Sequence, residues 1–377
     1  MSWMHTGYAQ RVYFGAGALD RAGEVCAELR MRRVLLVTTE GRRSSEAGRR
    51  LVEVLEGALE VVSVFSGVRS HVPAAAVDAA VRQSGIDGAD GVVSFGGGSC
   101  ADLGKAVCFF AEASVASEPA ADIPAPTYAD QPALPHVSVP TTYSGAELTP
   151  FFGMTDAGGR KRGAGGPTLA PRAAIYDPVV TLDIPARVSA ETGMNALAHG
   201  VECAYSPSRT PEAEAIALAC IERVAVALPA VVDEPGDLHA RTAMLAGAVL
   251  GGRCLQNAGM GVHHGLSQLL GGRTGLPHGL VNALVLPHAM AFNREAVGDV
   301  AGRIGAALGD AGDPAGAVDR LRRRVGLPAT LAECGVTAAD VDAVAELSPQ
   351  NVNVVNNVRP VSVDDARAIL TAALTGG

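Results

Sequence analysis

The feature that most constrains the fold is an alternation of short strand-like runs with longer helical patterns, which stops partway along the chain. Residues 33–39 (RVLLVTT) form a continuous β-branched run, typical of a strand buried on both faces, and similar runs follow at 60–65, 91–95 and 136–139. Helical patterns separate these runs, so this part of the chain predicts βαβ units and a parallel sheet. After Asp177, strand-like runs nearly vanish and apolar residues recur at helical spacing.

This change of pattern predicts two domains in a chain of 377 residues, an ordinary size for two. We expect a Rossmann-like parallel-sheet domain at residues 1–157 and an α-helical catalytic domain at 158–377, joined at the glycine-rich segment 158–167. The composition is 48% hydrophobic and 18% charged, which excludes a mostly disordered chain. A ligand site is expected in the cleft between the two domains.

Charge and cysteine content exclude several other classes. The net charge is −9 and no basic stripe stands out, so a nucleic-acid partner is not expected. No run resembles a secretory signal or a membrane span, and neither is expected. The seven cysteines form no C-x-x-C pair, which is typical of reduced thiols and predicts a cytoplasmic protein.

A glycine-rich loop follows the third of these predicted strands. Gly96, Gly97, Gly98 and Ser99 lead directly into a predicted helix. Glycines let a backbone approach a phosphate closely, and a helix N-terminus offers free N–H groups, so the loop indicates a dinucleotide pyrophosphate site. A tight turn between strand and helix would explain the same residues. Asp102, in the first turn of that helix, either caps it or contacts the nicotinamide end of the cofactor.

Hydroxyl-bearing side chains end two of the predicted strands: Thr38, Thr39, Thr141, Thr142, Tyr143 and Ser144. Small hydroxyls at the carboxyl ends of parallel strands suit a cofactor site. We expect residues 141–144 to lie beside the dinucleotide and Thr38 and Thr39 beside adenine or ribose, with Tyr143 a candidate proton donor. A hydroxyl-rich turn would explain the second group equally well.

Four polar residues stand in otherwise apolar helical sequence: Asn195, His199, His264 and His278. Asn195 and His199 are four apart, so they lie one turn apart on the same face of a helix. Three histidines and an amide have the composition of a metal site with one ligand altered, because Zn²⁺ or Fe²⁺ requires three or four nitrogen or oxygen donors. Asparagine supplies no charge to offset a dication, and hydrogen-bonded core residues are the alternative.

Taken together, the motifs FGGGSCADLGKA, VPTTYSGAELTPFFGMTD, TGMNALAHGVECAY and GVHHGLSQLLGGRTGLPHG resemble the iron-containing alcohol dehydrogenase superfamily, and more narrowly its maleylacetate reductase branch. The resemblance runs from about residue 8 to 374. It implies reduction of the conjugated C=C of maleylacetate to 3-oxoadipate by NADH or NADPH, in a homodimer.

The resemblance also implies roles for particular residues. Metal-dependent members carry one Asp and three His as ligands, and the matching positions here are Asn195, His199, His264 and His278. Reductases with asparagine at the first position are taken to work without metal, so no metal is expected. The three histidines are then the candidates to hold the enolate formed by hydride transfer.

One position departs from the family pattern. The family usually has a histidine four residues after His264, where this chain has Gln268, a candidate catalytic position that cannot exchange a proton near neutral pH. For a dicarboxylate substrate, Lys161 and Arg253 are the candidate cations, with surface solvation as the alternative, and His263 is a candidate substrate contact and proton donor. Two other functions stay open: a metal-dependent alcohol or aldehyde dehydrogenase, and a repurposed non-redox biosynthetic enzyme.

Overall fold

The chain forms two compact units. The computed structural model describes residues 3–116, 134–158 and 161–376, without the side chains of residues 61, 112–116 and 161. The first unit is Gly7–Thr181, here called the sheet unit. The second comprises the N-terminal residues up to Thr6 together with the chain from Leu182 onwards, here called the helical unit.

The sheet unit contains one parallel sheet and one antiparallel strand pair. Its strands are β1 (Arg11–Phe14), β2 (Arg33–Thr38), β3 (Val61–Phe65), β4 (Gly91–Gly96), β5 (His136–Pro140), β6 (Phe151–Thr155), β7 (Lys161–Gly165) and β8 (Ala173–Tyr176). Six of them form the sheet, in the order β1-β8-β5-β4-β2-β3, and every neighbouring pair is parallel. The predicted parallel sheet is confirmed.

The sheet unit extends further along the chain than the sequence pattern predicts. The predicted domain boundary lies at residue 157, whereas the compact unit ends at Thr181. The physical reason is β8, which pairs with β1 and β5 and so belongs to the parallel sheet. The glycine-rich segment taken as the junction contributes β7, the partner of β6.

Helices cover both faces of the sheet. They are α1 (Ala22–Glu28), α2 (Glu40–Arg43), α3 (Glu46–Glu56), α4 (Ala74–Ile86) and α5 (Gly98–Ala116). Leu36 of β2 belongs to a core with Leu55 of α3, while its neighbour Leu35 belongs to a second core with Val77 of α4 and Leu103 of α5. Successive residues of β2 thus enter opposite cores, which explains why this strand is apolar throughout.

The register of the sheet brings three strand ends together. Thr38 at the end of β2 pairs with Phe95 of β4, and Gly96 at the end of β4 pairs with Pro140 at the end of β5. The glycine loop and the turn after β5 therefore start side by side. Open parallel sheets bind ligands at this carboxyl edge.

The helical unit contains ten helices among the described residues: α6 (Ala186–Tyr205), α7 (Pro211–Asp233), α8 (Leu238–Asn257), α9 (Val262–Thr274), α10 (His278–Val297), α11 (Asp299–Ala307), α12 (Pro314–Arg324), α13 (Ala338–Leu347), α14 (Val352–Val355) and α15 (Val363–Thr375). Helix α6 contacts α7, α8 and α10, so it is buried along most of its length. Thr210 caps the start of α7, where its hydroxyl accepts a hydrogen bond from the Ala213 N–H. Thr337 and Ser362 begin α13 and α15, each with a complete capping box.

Helix α7 is long and apolar enough to cross a membrane by length and composition alone, and no other helix in the described ranges is. Its apolar side chains Ala217, Ile221 and Val224 are fully buried, and the helix contacts α6 and α8. A core helix has the same composition as a membrane span, so the hydropathy of α7 carries no membrane assignment.

Candidate functional site

The glycine loop after β4 packs against the turn after β5. Gly96 has a φ of +150°, where side chains are rarely tolerated. A Cβ added at Gly97 would lie 3.2 Å from Thr142, and one added at Gly98 would lie 3.2 Å from Ser144. The two predicted cofactor segments are therefore neighbours in space, and the absence of side chains on the loop is what allows their close approach.

Two threonine hydroxyls beside this loop are buried without partners. The Oγ1 atoms of Thr141 and Thr142 make no hydrogen bond within the residues that the structure describes. Leaving a buried polar group unpaired costs about 1–3 kcal/mol. The loop also leads into the N-terminus of α5, where backbone N–H groups lack helical partners. A polar ligand at this edge would satisfy both kinds of group.

The two predicted adenosine contacts already have partners in the fold. The hydroxyl of Thr38 donates to the carbonyl oxygen of Phe95 at 2.8 Å. The hydroxyl of Thr39 accepts from the Arg42 N–H at 3.2 Å and caps α2. Both hydroxyls thus stabilise the strand end, and their contact with adenine or ribose stays a prediction.

Asp102 also holds the fold together locally. One carboxylate oxygen lies 2.8 Å from the ammonium group of Lys105, and the other accepts from the Gly153 N–H at 3.3 Å. This arrangement ties α5 to β6, so a contact with nicotinamide stays a prediction. Tyr143 is fully buried in the sheet unit, and its role as a proton donor also stays a prediction. The side chain of Lys161 lies outside the described residues.

In the helical unit, α6, α9 and α10 bring the predicted polar residues together. The rings of His199 and His264 stack with centroids 5.0 Å apart, and those of His264 and His278 are 5.9 Å apart. Asn195, one turn before His199 on α6, accepts through Oδ1 from the amide of Asn282 at 2.5 Å. We call these five residues, together with Glu202 and His263, the histidine cluster.

Glu202 joins the parts of the histidine cluster, and sequence reasoning missed it. Its carboxylate accepts from the backbone N–H groups of His263 and His264 at 3.0 and 3.2 Å. It also accepts from Nδ1 of His264 at 2.6 Å. Glu202 lies three residues after His199 on α6, so the spacing that places it on the same helix face was the available signal.

His263 is fully buried within the cluster. Its Nε2 donates to the backbone carbonyl of Asn282 at 3.0 Å, and its Nδ1 lies 3.1 Å from Nδ1 of His264. Both ring nitrogens are engaged inside the protein. The geometry therefore favours a structural role for His263 over the predicted contact with substrate.

Burial and hydrogen bonding compete in setting the charges of the cluster. Burial alone would raise the pKa of Glu202, but hydrogen bonds from His263 and His264 outweigh it and lower the pKa. Burial lowers the pKa of His199 well below its ordinary value, and the neighbouring His264 and His278 lower it further. Burial also lowers the pKa of His264, against the opposing effect of Glu202. The lowered pKa of Glu202 favours a charged carboxylate, and the lowered pKa values of His199 and His264 favour neutral imidazoles beside it.

Two ring nitrogens of the cluster are open to a ligand. Nδ1 of His199 and Nε2 of His264 are buried and have no hydrogen-bond partner in the described parts of the chain. Unsatisfied nitrogens with perturbed pKa values are typical of sites that hold a reacting group. The two atoms belong to rings that stack on each other.

Two further predicted residues lie at the edges of this region. Gln268 is exposed on α9, one turn beyond His264, and its Oε1 accepts from the amide of Asn353 at 3.0 Å. Arg253 is half-buried on α8, where its guanidinium donates to Gln256 at 3.0 Å. The roles of Gln268 in proton transfer and of Arg253 in binding a carboxylate stay predictions.

The chain is similar along its whole length to several known oxidoreductases. The chain is 34% identical over 376 residues to maleylacetate reductase of Pseudomonas knackmussii, an alignment that covers 100% of this chain and 99% of that relative. The crystal structure of maleylacetate reductase from Agrobacterium tumefaciens matches with a TM-score of 0.86 at 32% identity, covering 100% of this chain and 99% of that one. A crystal structure of 1,3-propanediol oxidoreductase matches with a TM-score of 0.92 at 28% identity, covering 99% and 100%.

The similarity along the whole chain shows that this protein is an oxidoreductase. Residues 9–178 match the family described as iron-containing alcohol dehydrogenase, and residues 189–374 match the C-terminal part of the same family. The chain belongs to the iron-containing alcohol dehydrogenase family. Membership implies a nicotinamide cofactor, and the resemblance and fold class predicted from the sequence are confirmed.

Proposed function

We propose that this protein is an NADH- or NADPH-dependent reductase of maleylacetate or a closely related unsaturated keto acid. The product is 3-oxoadipate or its analogue. The observation that carries the proposal is the similarity to maleylacetate reductase along the whole chain, at 34% identity. The histidine cluster of the helical unit supports it, because it offers buried nitrogens to a reacting group.

The reaction adds two hydrogens across the conjugated double bond. Hydride from the nicotinamide attacks the alkene carbon furthest from the ketone, and the electron pair of the double bond moves toward the keto oxygen. The enolate then takes a proton at the carbon next to the ketone. Negative charge on the oxygen requires a nearby donor, a task that is worth about 10²–10³ in kcat in other enzymes. His199, His264 and His278 are the candidates for that donor.

The cofactor is proposed to bind at the carboxyl edge of the parallel sheet. Gly96–Ser99 would hold the pyrophosphate against the N-terminus of α5, where a negative group is favoured. The unpaired hydroxyls of Thr141 and Thr142 support this placement, since a dinucleotide supplies both donors and acceptors. The residues of this loop favour neither NADH nor NADPH.

We also propose that catalysis proceeds without a metal, although the family is named for iron. The four ligand positions contain no carboxylate, and the Oδ1 of Asn195 already accepts a hydrogen bond from Asn282. The open nitrogens of His199 and His264 could coordinate a cation, but they are neutral donors. The carboxylate of Glu202 lies close to His263 and His264, but both of its oxygens already accept hydrogen bonds from those two residues. This donor set fits a resident divalent cation poorly.

We propose a cytoplasmic location for the protein. All seven cysteines are free thiols and six are buried, as expected in the reducing cytoplasm.

We also propose that the protein acts as a homodimer on a small keto acid, in agreement with the resemblance to the family. Size-exclusion chromatography with light scattering tests the assembly: a mass twice that of the chain is expected, and a monomer contradicts it.

The second candidate function is a metal-dependent alcohol or aldehyde dehydrogenase, favoured by the match to 1,3-propanediol oxidoreductase at a TM-score of 0.92. The test mixes the protein and NADH or NADPH with one of two substrates. One is maleylacetate, and the other is a simple aldehyde with added Fe²⁺ or Zn²⁺. Cofactor oxidation is followed by absorbance, and the product by mass. We expect a product two hydrogens heavier than maleylacetate. Turnover of aldehydes with metal and none of maleylacetate would favour the second candidate.

A further inference from the structure

The carboxylate of Glu202 is held at the N-terminus of α9. Its two oxygens accept from consecutive backbone N–H groups, those of His263 and His264, in the first turn of that helix. A helix N-terminus favours negative charge, and these N–H groups have no partner inside the helix. Glu202 is completely buried, so its orientation is fixed by these bonds. One oxygen therefore always faces the ring of His264.

The hydrogen-bond network assigns the protons on both neighbouring rings. A backbone carbonyl can only accept, so the Nε2 of His263 that faces the Asn282 carbonyl carries its proton. An ionised carboxylate can also only accept, so Nδ1 of His264, at 2.6 Å from Glu202, carries its proton. When His264 is neutral, its Nε2 then holds a lone pair. That atom is the buried nitrogen without a partner in the described residues.

We propose that Glu202 is a positioning residue that locks His264 in the tautomer with its proton on Nδ1, so that Nε2 faces the ligand as an acceptor. Where this concerns catalysis, it rests on the proposed reductase function. An enolate oxygen needs a donor, which neutral His264 cannot supply from Nε2. The donor is therefore His199 or His278. His264 accepts instead from a group that carries O–H or N–H, such as a bound water or a ribose hydroxyl.

A purely structural role for Glu202 makes a different prediction. If the carboxylate served only to anchor α9, the tautomer of His264 would not depend on it. Removing a carboxylate that orients an imidazole changes catalysis, because the imidazole then loses the acceptor that fixes its tautomer. The tautomer itself is thus the readout that separates the two roles.

The test uses the whole protein with ¹⁵N-labelled histidine and a two-bond ¹H–¹⁵N correlation spectrum at neutral pH. His264→Asn assigns the signal by its loss. We expect the proton on Nδ1 in the wild type. In Glu202→Gln the amide oxygen can take the place of Oε2 and keep the bonds from the backbone N–H and Nδ1 of His264, so the proton should stay on Nδ1. Glu202→Leu removes the acceptor, so the tautomer should no longer be fixed and part of the proton should move to Nε2. Glu191→Gln, on the same helix and paired with Arg187, should leave the tautomer unchanged.

Kinetics complete the test. Glu202→Leu should lower kcat by about 10- to 100-fold with little change in the KM for cofactor, and Glu202→Gln should recover part of the loss. A wild-type His264 protonated on Nε2, or a Leu variant that keeps the proton wholly on Nδ1, overturns the proposal. If the Leu variant does not fold, the wild-type spectrum alone decides. Absence of maleylacetate turnover in the wild type would contradict the proposed function and leave the tautomer measurement valid.

Discussion

Two buried glutamates, one in each unit, respond to burial in opposite ways. Glu147 of the sheet unit is 1% exposed and Glu202 of the helical unit is 0% exposed. Burial raises the pKa of Glu147, although the hydroxyl of Tyr176 donates to it at 2.6 Å. At Glu202, hydrogen bonds from His263 and His264 outweigh burial and lower the pKa.

The difference shows that the donors around a buried carboxylate decide its charge. Glu147 has one oxygen without a partner among the described residues, and a neutral acid is the form that this environment favours. Glu202 receives two backbone N–H groups and an imidazole. The carboxyl of Glu147 accepts from Tyr176 of β8, whereas Glu202 organises a cluster of histidines. Glu147 is thus a structural carboxyl, and Glu202 is proposed to position a ring at the site.

The largest effect on turnover is expected at His199, whose ring stacks on that of His264. His199→Asn removes an imidazole from the cluster around Glu202 and should lower kcat by about 10²–10³, the usual cost of losing a charge-stabilising donor. Cofactor affinity, measured by fluorescence titration, should stay close to that of the wild type, because the proposed cofactor loop belongs to the other unit. A variant that retains most of its turnover would show that the cluster is structural, like the surroundings of Glu147.

A second carboxylate in the cluster should create a metal site. Asn195→Asp adds a charged ligand beside three histidines, and the amide of Asn282 that now donates to Oδ1 can donate equally well to a carboxylate. We expect Zn²⁺ affinity to rise by about 10- to 100-fold, measured by calorimetry. Asn257→Asp, at the end of α8, adds the same charge elsewhere as a control. Unchanged Zn²⁺ uptake would mean that the four positions do not converge.

A smaller effect is expected at Gln268, one turn beyond His264. Gln268→His introduces a group that exchanges protons near neutral pH, and turnover should rise by up to about tenfold, with a new pH dependence of kcat. Asn353→Ala, which removes the present partner of Gln268 without adding a titrating group, is the matched control. Turnover that does not rise in Gln268→His would contradict the hypothesis that this position has lost a proton-transfer role.

The smallest effect concerns Glu147 and stability. Since burial raises its folded-state pKa, its contribution to stability is complete at low pH and is lost as pH rises through the raised pKa. Glu147→Gln stays neutral and can still accept from Tyr176. As pH rises above 4.5, the ordinary pKa of the carboxyl, Tm should therefore fall less in the variant than in the wild type, by a few degrees. Parallel curves of Tm against pH would contradict the raised pKa of Glu147.

The two units also differ in how far their features could be predicted from the sequence. In the sheet unit, a buried strand followed by glycines or hydroxyls is a local pattern, and the parallel arrangement brings Gly96 and Pro140 together in register. That part of the site was predictable. The strands β7 and β8 were missed because KRGAG lacks β-branched residues and AAIY is only four residues long. The predicted domain boundary was misplaced for that reason.

In the helical unit, the contacts that define the site are distant in sequence. Glu202 binds residues 61 and 62 positions further along the chain, and Asn282 is 87 positions from Asn195. Single-sequence patterns carry no information about such pairs. The histidines were found because they are polar residues in apolar segments. The spacing of Glu202 after His199 places it on the same helix face, but its bonds to His263 and His264 become visible only in the fold.

The most direct test of the account is turnover of maleylacetate by protein that has been stripped with a chelator and checked for residual metal. Cofactor oxidation with NADH and NADPH is followed by absorbance. We expect full activity without metal and no gain when Fe²⁺ or Zn²⁺ is added back, since Asn195 supplies no charged ligand. Activity that disappears on stripping and returns with either ion would contradict the proposal that the histidine cluster works without metal.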